Sequence, residues 1–177
     1  DAAAALSSDT RVRFAALMHD LGKGTTPPAE WPKHIGHEAR GVELVQQLCQ
    51  RLRVPNDYRD LALLTARYHA HCHRALELRP ATVLEVLEAL DAFRRPERVP
   101  MFVTACEADA RGRTGREHEP YPQARVFSEA HAAARAVDTA VVAAEAKAAG
   151  LGGEAVGERI RERRIAAIRS VITSLQL

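Results

Sequence analysis

The chain has 177 residues, a length that usually forms one domain with a buried core. Hydrophobic residues make up 46% of it and charged residues 27%, which is typical of a globular protein and excludes a disordered chain. Charges interrupt every apolar stretch and residues 1–30 lack a signal-peptide pattern, so we expect a cytoplasmic protein with no membrane partner. The net charge of +2 does not by itself indicate a nucleic-acid partner, although 22 of the 25 cationic side chains are arginine, which suits phosphate.

The cysteines do not indicate a disulfide or a zinc site. Cys49, Cys72 and Cys106 are odd in number, widely spaced and contain no Cys-x-x-Cys pair, so we expect three reduced thiols. The sequence begins at Asp1 and runs directly into an alanine stretch, Ala2 to Ala5. We therefore expect it to be part of a longer polypeptide.

Thirty-three alanines and few aromatic residues predict an all-α fold, because alanine loses no side-chain entropy in a helix. A first helix, capped by Asp9 or Thr10 and ended by Gly22 and Gly24, would bury Val12, Ala15, Ala16, Leu17 and Leu21. Further helices are predicted from the spacing of apolar residues, prolines and glycines at about 34–52, 56–73, after Pro80, after Pro100, 123–137 and 154–175. We expect two units, a helical bundle over 1–149 and a basic C-terminal helix over 150–177 packed on it.

The pair His19-Asp20, followed by Leu-Gly-Lys-Gly, is the most distinctive feature of the chain. Imidazole and carboxylate together suit a divalent transition metal or Mg²⁺, which binds phosphate oxygens and activates water. Adjacent helical residues point about 100° apart, so both can bind one ion only if other helices supply further ligands. Lys23 lies one turn after His19 and can meet a phosphate from the same side. The alternative is a helix-end histidine beside a solvent-exposed aspartate.

Other histidines are spaced as further ligands would be. His34 and His37 stand three apart at a predicted helix start, and His69 and His73 stand four apart, so each pair shares a helix face. His37 and His69 are therefore additional candidate ligands. An exposed helix end is the alternative for the second pair.

Asp109 lies on an otherwise small and apolar helix face, where an unpaired carboxylate would be costly to bury. A metal ion is one natural partner for it. The alternative is an ordinary ion pair with the neighbouring arginines, which could instead bind phosphate bidentately; these are Arg111, Arg113 and Arg116.

Together these residues resemble a known family. HDLGKG at 19–24, WPKHIGHE at 31–38, LCQRLRVPNDYRDLA at 48–62 and EADARGRTG at 107–115 are similar to the carboxy-terminal HD domain of bacterial CCA-adding enzymes, the multifunctional tRNA nucleotidyltransferases. The similarity extends over the whole chain. The catalytic nucleotidyltransferase head of such an enzyme would lie upstream.

The resemblance implies an all-α, metal-dependent phosphohydrolase with 2′,3′-cyclic phosphodiesterase, 2′-nucleotidase and phosphatase activity. His19, Asp20 and Asp109 match the family's metal ligands. The ion would be Ni²⁺ or Mg²⁺, with Mn²⁺ or Co²⁺ as alternatives, and Asp20 and Lys23 would take part in catalysis. The family pattern also includes a histidine from an earlier helix, and residues 1–18 contain none. We therefore expect a ligand set short of one imidazole, with weak or no hydrolysis by this chain.

The expected substrates are small phosphate esters, 2′,3′-cyclic nucleotides and the 3′ end of tRNA. Arg111 and Arg113 would stabilise charge on the phosphoryl oxygens. RNA backbone contacts are expected from the arginines near position 111 and from a second set on the last helix, namely Arg161, Arg163 and Arg164, for which a solvated helix face is the alternative.

Two other functions remain open. The first is a non-catalytic module that holds the tRNA or forms a homodimer contact. The second is a hydrolase of an alarmone or cyclic dinucleotide, which is disfavoured because no acidic pair follows the His-Asp pair and no Gly-Tyr-Pro motif occurs.

Overall fold

The structure is a computed structural model that describes residues 2–175. Within these residues the chain forms nine α-helices and no β-strand, which confirms the predicted all-α class. The helices are α1 (Ala2–Leu6), α2 (Thr10–Met18), α3 (His37–Leu52), α4 (Asn56–His73), α5 (Pro80–Ala89), α6 (Arg98–Arg111), α7 (Gln123–Arg135), α8 (Thr139–Ala148) and α9 (Gly153–Leu175). Short 3₁₀ segments lie at Leu21–Thr25, Pro28–Glu30 and Ala75–Glu77.

Local sequence explains where several helices begin. The Asp9 carboxylate accepts a hydrogen bond from the backbone N–H of Arg11 and caps α2. Asp138 caps α8 in the same way. Pro80 occupies the first position of α5, where its missing N–H costs nothing. Gly36 has a positive φ of 72° immediately before α3, a conformation that favours glycine.

The structure corrects several details of the predicted elements. Helix α2 ends at Met18, before Gly22 and Gly24, and α6 begins at Arg98, before Pro100. Leu17 is 73% exposed rather than part of the buried stripe of α2. Helix α3 begins at His37, because His34 and Gly36 both adopt positive φ values that a helix does not allow. Helix α7 ends at Arg135, and the separate helix α8 lies between it and the glycine-rich break. The short α1 was not predicted either.

The core lies where α4, α5, α6, α7 and α9 face one another. Phe102 of α6 and Phe127 of α7 are fully buried and meet edge to face, with ring centroids 6.1 Å apart. The leucines of α5 and Ile168 of α9 complete this apolar centre. Helix α9 packs against α5, α7 and α8.

The N-terminal half of the chain positions the residues of chemical interest. Helix α2 packs against α4 and α6, α3 packs against α4, and α4 packs against α6. The 3₁₀ segment Leu21–Thr25 lies directly on α3. These contacts bring the C-terminal ends of α2, α4 and α6 together with the beginning of α3. None of the helices described between residues 2 and 175 combines the length and hydrophobicity that crossing a bilayer requires.

Candidate metal centre

Six side chains converge at this junction of helices. They are contributed by the end of α2, the start of α3, the last two turns of α4 and the last turn of α6. We call this group the histidine–aspartate cluster; its members are His19, Asp20, His37, His69, His73 and Asp109.

His19 lies between two carboxylates. Its Nε2 atom is 3.1 Å from Asp20 Oδ2 and 3.3 Å from Asp109 Oδ1. Burial lowers the pKa of His19, but the two carboxylates outweigh this effect and raise the pKa to about 10. The same contacts hold the pKa values of Asp20 and Asp109 well below their usual range, although burial opposes this. Both carboxyl groups are therefore ionised and require a positive charge between them.

Three imidazoles are oriented in the same way by the backbone. The Nδ1 atom of His19 lies 2.7 Å from the carbonyl oxygen of Ala16, and that of His37 lies 3.0 Å from the carbonyl oxygen of His34. The Nδ1 atom of His69 lies 3.1 Å from the carbonyl oxygen of Thr65. Because a carbonyl oxygen only accepts, each Nδ1 donates a proton and each Nε2 is directed into the cluster. This is the arrangement that metal-ligating histidines adopt.

Two of these Nε2 atoms lie near the same oxygen of Asp20. Oδ1 of Asp20 is 3.3 Å from Nε2 of His37 and 3.5 Å from Nε2 of His69, and these two nitrogens are 3.2 Å apart. Burial lowers the pKa of His69 to about 4, so its ring is neutral. The neutral His69 already donates from Nδ1, so its Nε2 faces Nε2 of His37 as an acceptor, and a cation between the two nitrogens would bind both.

The donor set fits a divalent cation. Ligand atoms of His19, Asp20 and His69 all lie within 4.8 Å of one another. Nε2 of His19 and Oδ1 of Asp20 are buried and have no aligned hydrogen-bond partner in the part of the chain that the structure describes. Nitrogen and carboxylate donors together suit Ni²⁺, Co²⁺, Zn²⁺ or Mn²⁺. Three imidazoles, those of His19, His37 and His69, lie around Asp20 without a contribution from residues 1–18. The ligand set is therefore not short of an imidazole, and the expectation of weak or no hydrolysis by this chain, which rested on that shortage, loses its basis.

Asp109 connects the cluster to a second hydrogen-bond network. Its Oδ2 atom accepts a hydrogen bond from Nε2 of His73 at 2.8 Å. The other ring nitrogen of His73, Nδ1, is hydrogen-bonded to the hydroxyl of Tyr121 at 2.9 Å. Neither His73 nor Tyr121 was predicted as a site residue. The four-residue spacing from His69 was the signal for His73.

Lys23 neutralises part of the negative charge. Its ammonium group forms an ion pair with Asp20, and the Lys23 side chain is 37% exposed, so it can also reach a phosphate in solvent. Lys23 lies in the 3₁₀ segment Leu21–Thr25. The first glycine of the Leu-Gly-Lys-Gly motif, Gly22, lies in the same segment and is buried against the first turns of α3.

The predicted arginines near α6 lie beside the cluster. We call Arg111, Arg113 and Arg116 the α6 loop arginines. They line a cavity of about 260 Å³ together with His73 and Tyr121. Each of these arginines also has a carboxylate partner. The guanidinium of Arg113 lies 3.6 Å from the carboxylate of Asp109, and the Arg113 side chain is 58% exposed. The structure thus brings these cations next to the cluster with room for a phosphate group.

The arginines of α9 lie elsewhere and have partners within the fold. We call Arg161, Arg163 and Arg164 the α9 arginines. Arg161 pairs with Glu85 and Glu88 of α5, and Arg163 pairs with Glu145 of α8 at 3.1 Å. The guanidinium of Arg164 lies 3.7 Å above the ring of Phe93, and burial lowers its pKa. The structure does not bring the α9 arginines to the cluster.

Comparison with known proteins agrees with this geometry. The sequence profile of the HD domain matches residues 2–98, which include His19, Asp20, His37 and His69. The chain belongs to the HD domain family. The resemblance seen in the sequence is thereby confirmed.

The relatives of this HD domain chain are multifunctional CCA proteins. It is 56% identical over 169 residues to the one from Thioalkalivibrio sulfidiphilus and 58% identical over 170 residues to the one from Nitrosococcus oceani, with 96% of the chain covered in both comparisons. The protein from Vibrio cholerae is 48% identical over 169 residues. The chain spans 40% to 41% of the length of these three relatives. No solved structure matches it significantly.

Proposed function

We propose that this HD domain is a metal-dependent phosphohydrolase that acts on phosphate esters, including 2′,3′-cyclic phosphates at RNA 3′ ends. The proposed activities are 2′,3′-cyclic phosphodiesterase, 2′-nucleotidase and phosphatase, in tRNA 3′-end maturation and repair within the cytoplasm. One observation carries the proposal: three imidazoles, each oriented by a backbone carbonyl, direct Nε2 toward the ionised Asp20. A purely structural cluster has no need of this shared orientation.

His19, Asp20 and His69 would hold the ion, with His37 and Asp109 at its side. When bound, a divalent cation polarises a phosphoryl oxygen and lowers the pKa of a water molecule, so that it attacks phosphorus at neutral pH. The α6 loop arginines would bind the other phosphoryl oxygens through their fixed N–H donors, and Lys23, paired with Asp20, would add positive charge. His73, held by Tyr121, keeps the carboxylate of Asp109 in place.

The relatives are named multifunctional CCA proteins, which supports a role in CCA addition, and the proposal therefore includes tRNA as the partner. We further propose that residues 1–149 form the phosphohydrolase unit and that residues 150–177 form a helical addition to it. The packing of α9 on α5, α7 and α8 supports the second assignment.

Asp20→Asn tests the proposal directly. This substitution keeps the shape of the side chain but removes the charge that three imidazoles and Lys23 surround. Losing a hydrogen-bond partner of a metal ligand typically costs 10- to 100-fold in affinity or activity, so losing a ligand should cost about 100-fold or more. The measurement is hydrolysis of adenosine 2′,3′-cyclic phosphate by the metal-stripped chain as each divalent ion is added back.

Asp91→Asn is the matched control, because Asp91 lies after α5, away from the cluster, and its positive φ of 57° also suits asparagine. It should keep full activity. Unchanged turnover by Asp20→Asn at saturating metal would contradict the proposal and favour a non-catalytic domain that holds tRNA or a second subunit.

A further inference from the structure

A large cavity adjoins the histidine–aspartate cluster, and Lys23 is not among the residues that line it. It has a volume of about 690 Å³ and lies between α1, α2, the start of α4 and the end of α6. His19 and Asp109 form part of its wall, so a group placed in the cavity lies next to the proposed metal ligands. The mechanism proposed above uses none of the other residues of this wall except Arg113.

One part of the wall is apolar and aromatic. Phe14 and Tyr58 meet edge to face with ring centroids 6.1 Å apart, and the hydroxyl of Tyr58 is hydrogen-bonded to Thr10. Leu17 lies beside them and is 73% exposed, although its position on α2 predicts burial. An exposed leucine next to aromatic rings is a surface against which a nucleobase packs favourably.

The same wall carries Arg13, a cation for which the described part of the chain supplies no ion-pair partner. The Nε atom of Arg13 donates to the carbonyl oxygen of Ser7 at 2.8 Å, which fixes the side chain against the end of α1. Between residues 2 and 175, no ion pair within 4.0 Å involves Arg13, whereas each α6 loop arginine has one. An arginine that lines a cavity and has no carboxylate partner among residues 2–175 is suited to an anionic ligand.

The spacing of these groups matches one nucleotide. Arg13 precedes His19 by six residues on α2, which places them about 9 Å apart along the helix axis. Phe14 and Leu17 lie between them on the cavity side. A ligand that reaches from the cluster to Arg13 therefore carries an anionic group at each end and an apolar group in the middle.

We propose that this cavity binds the terminal nucleoside of the substrate, with its base against Phe14 and Leu17 and its 5′-phosphate on Arg13. The 2′ or 3′ phosphate then lies at the cluster. This inference rests on the proposed function and refines it, because the cavity selects the end of an RNA strand over small phosphate esters. Leu17 and Arg13 are specificity-determining residues in this arrangement.

Three cyclic phosphodiesters separate these contributions. They are adenosine 2′,3′-cyclic phosphate, the same compound with a 5′-phosphate, and glycerol 1,2-cyclic phosphate, which has neither base nor ribose. The unmodified chain should show the highest kcat/KM with the 5′-phosphorylated nucleotide and the lowest with the glycerol compound. Leu17→Ala should lower kcat/KM about fivefold to tenfold for both nucleotides and leave the glycerol compound unchanged.

Arg13→Gln should remove the preference for the 5′-phosphorylated nucleotide, a loss of about tenfold, and leave the other two substrates unchanged. Leu52→Ala and Arg51→Gln are matched controls, because both positions are exposed on α3 and neither lines the cavity. They should behave as the unmodified chain does. Equal losses for all three substrates, or no change in either cavity variant, would overturn the inference.

A binding measurement keeps this test separate from that of the proposed function. If the chain hydrolyses none of the three compounds, the proposed function fails, and calorimetry with the same compounds then decides the inference. Weaker binding of the nucleotides to Leu17→Ala, with weaker binding of the 5′-phosphorylated nucleotide to Arg13→Gln, supports the cavity assignment. Equal affinities of the unmodified chain for the nucleotides and the glycerol compound would overturn it.

Discussion

Gly22 sets the distance between the His-Asp pair and α3. A Cβ atom at this position would lie 2.0 Å from the carbonyl oxygen of His37 and 2.5 Å from the backbone nitrogen of Gly41. Both neighbours are backbone atoms, so no side-chain rotation relieves the contact. Gly22→Ala must therefore push the 3₁₀ segment and α3 apart by about 1 Å, because Cβ contacts below 3.0 Å essentially do not occur.

This displacement should affect both folding and the cluster. Overpacking a closely packed interface typically costs about 1 to 3 kcal/mol, and a contact with rigid backbone belongs at the upper end of that range. It should also lengthen the 3.3 Å contact between Nε2 of His37 and Oδ1 of Asp20. A misplacement of about 1 Å can reduce the efficiency of a catalytic site about 100-fold. Both effects arise although Gly22 has no side chain in the cluster.

Gly24→Ala provides the control, because a Cβ atom at Gly24 meets nothing within 4 Å and lies in the same 3₁₀ segment. We expect denaturant unfolding to show a loss of about 2 to 3 kcal/mol for Gly22→Ala and almost none for Gly24→Ala. Calorimetric titration with Ni²⁺ or Mn²⁺ should show at least tenfold weaker binding only for Gly22→Ala. Equal stability and equal metal affinity of the two variants would refute the argument that this contact positions α3.

Two further predictions concern the rest of the chain. His131 is buried and donates from Nε2 to the carbonyl oxygen of Ala92, and burial lowers its pKa. The imidazole of this residue therefore binds a proton more readily in the unfolded chain than in the folded one. Lowering the pH through about 6.5 should then reduce the stability of the unmodified protein more than that of His131→Gln, which lacks this imidazole. Urea unfolding from pH 8 to pH 5 would measure the stability of each protein. The exposed His118→Gln variant is the control and should show the same pH dependence as the unmodified protein. Equal pH dependence of stability in all three proteins would contradict the role given to His131. Replacing the three α6 loop arginines by alanine should flatten the salt dependence of tRNA affinity by roughly 3 in log–log slope, and the same change in the α9 arginines tests the second predicted RNA contact. An unchanged slope in either variant removes that surface from the proposal.

The helices were predictable because each signal is local. Proline at the first turn and the apolar spacing along one face suffice for α4 and α5, whose starts agree with the sequence-based prediction. Helix α8 was missed because alanine-rich sequence continues on both sides of Asp138, and only the capping geometry of that aspartate shows that a new helix begins there. Burial of Leu17 was wrongly predicted for a different reason. The helix periodicity identifies an apolar face but does not show whether another element covers it.

The composition of the cluster depends on packing over long sequence distances. The His-Asp pair stood out by its motif, whereas the positions of His37 and His69 beside Asp20 follow from the contact of the Leu21–Thr25 segment with α3 and of α3 with α4. A spacing of three or four residues shows which histidines share a face but not which element that face meets. His73 illustrates the point, since it shares a face with His69 and yet contacts Asp109 of α6.

The orientation and the convergence of the ligands have separate physical origins. Each ring of His19, His37 and His69 is oriented within its own segment of chain, by a carbonyl three or four residues before it, so the three rings should keep their tautomer wherever these segments fold. Their meeting at Asp20 requires the helices to approach closely, which the absence of a side chain at Gly22 permits. Loss of metal binding in Gly22→Ala with intact helices would therefore show that convergence, rather than ligand identity, limits the site.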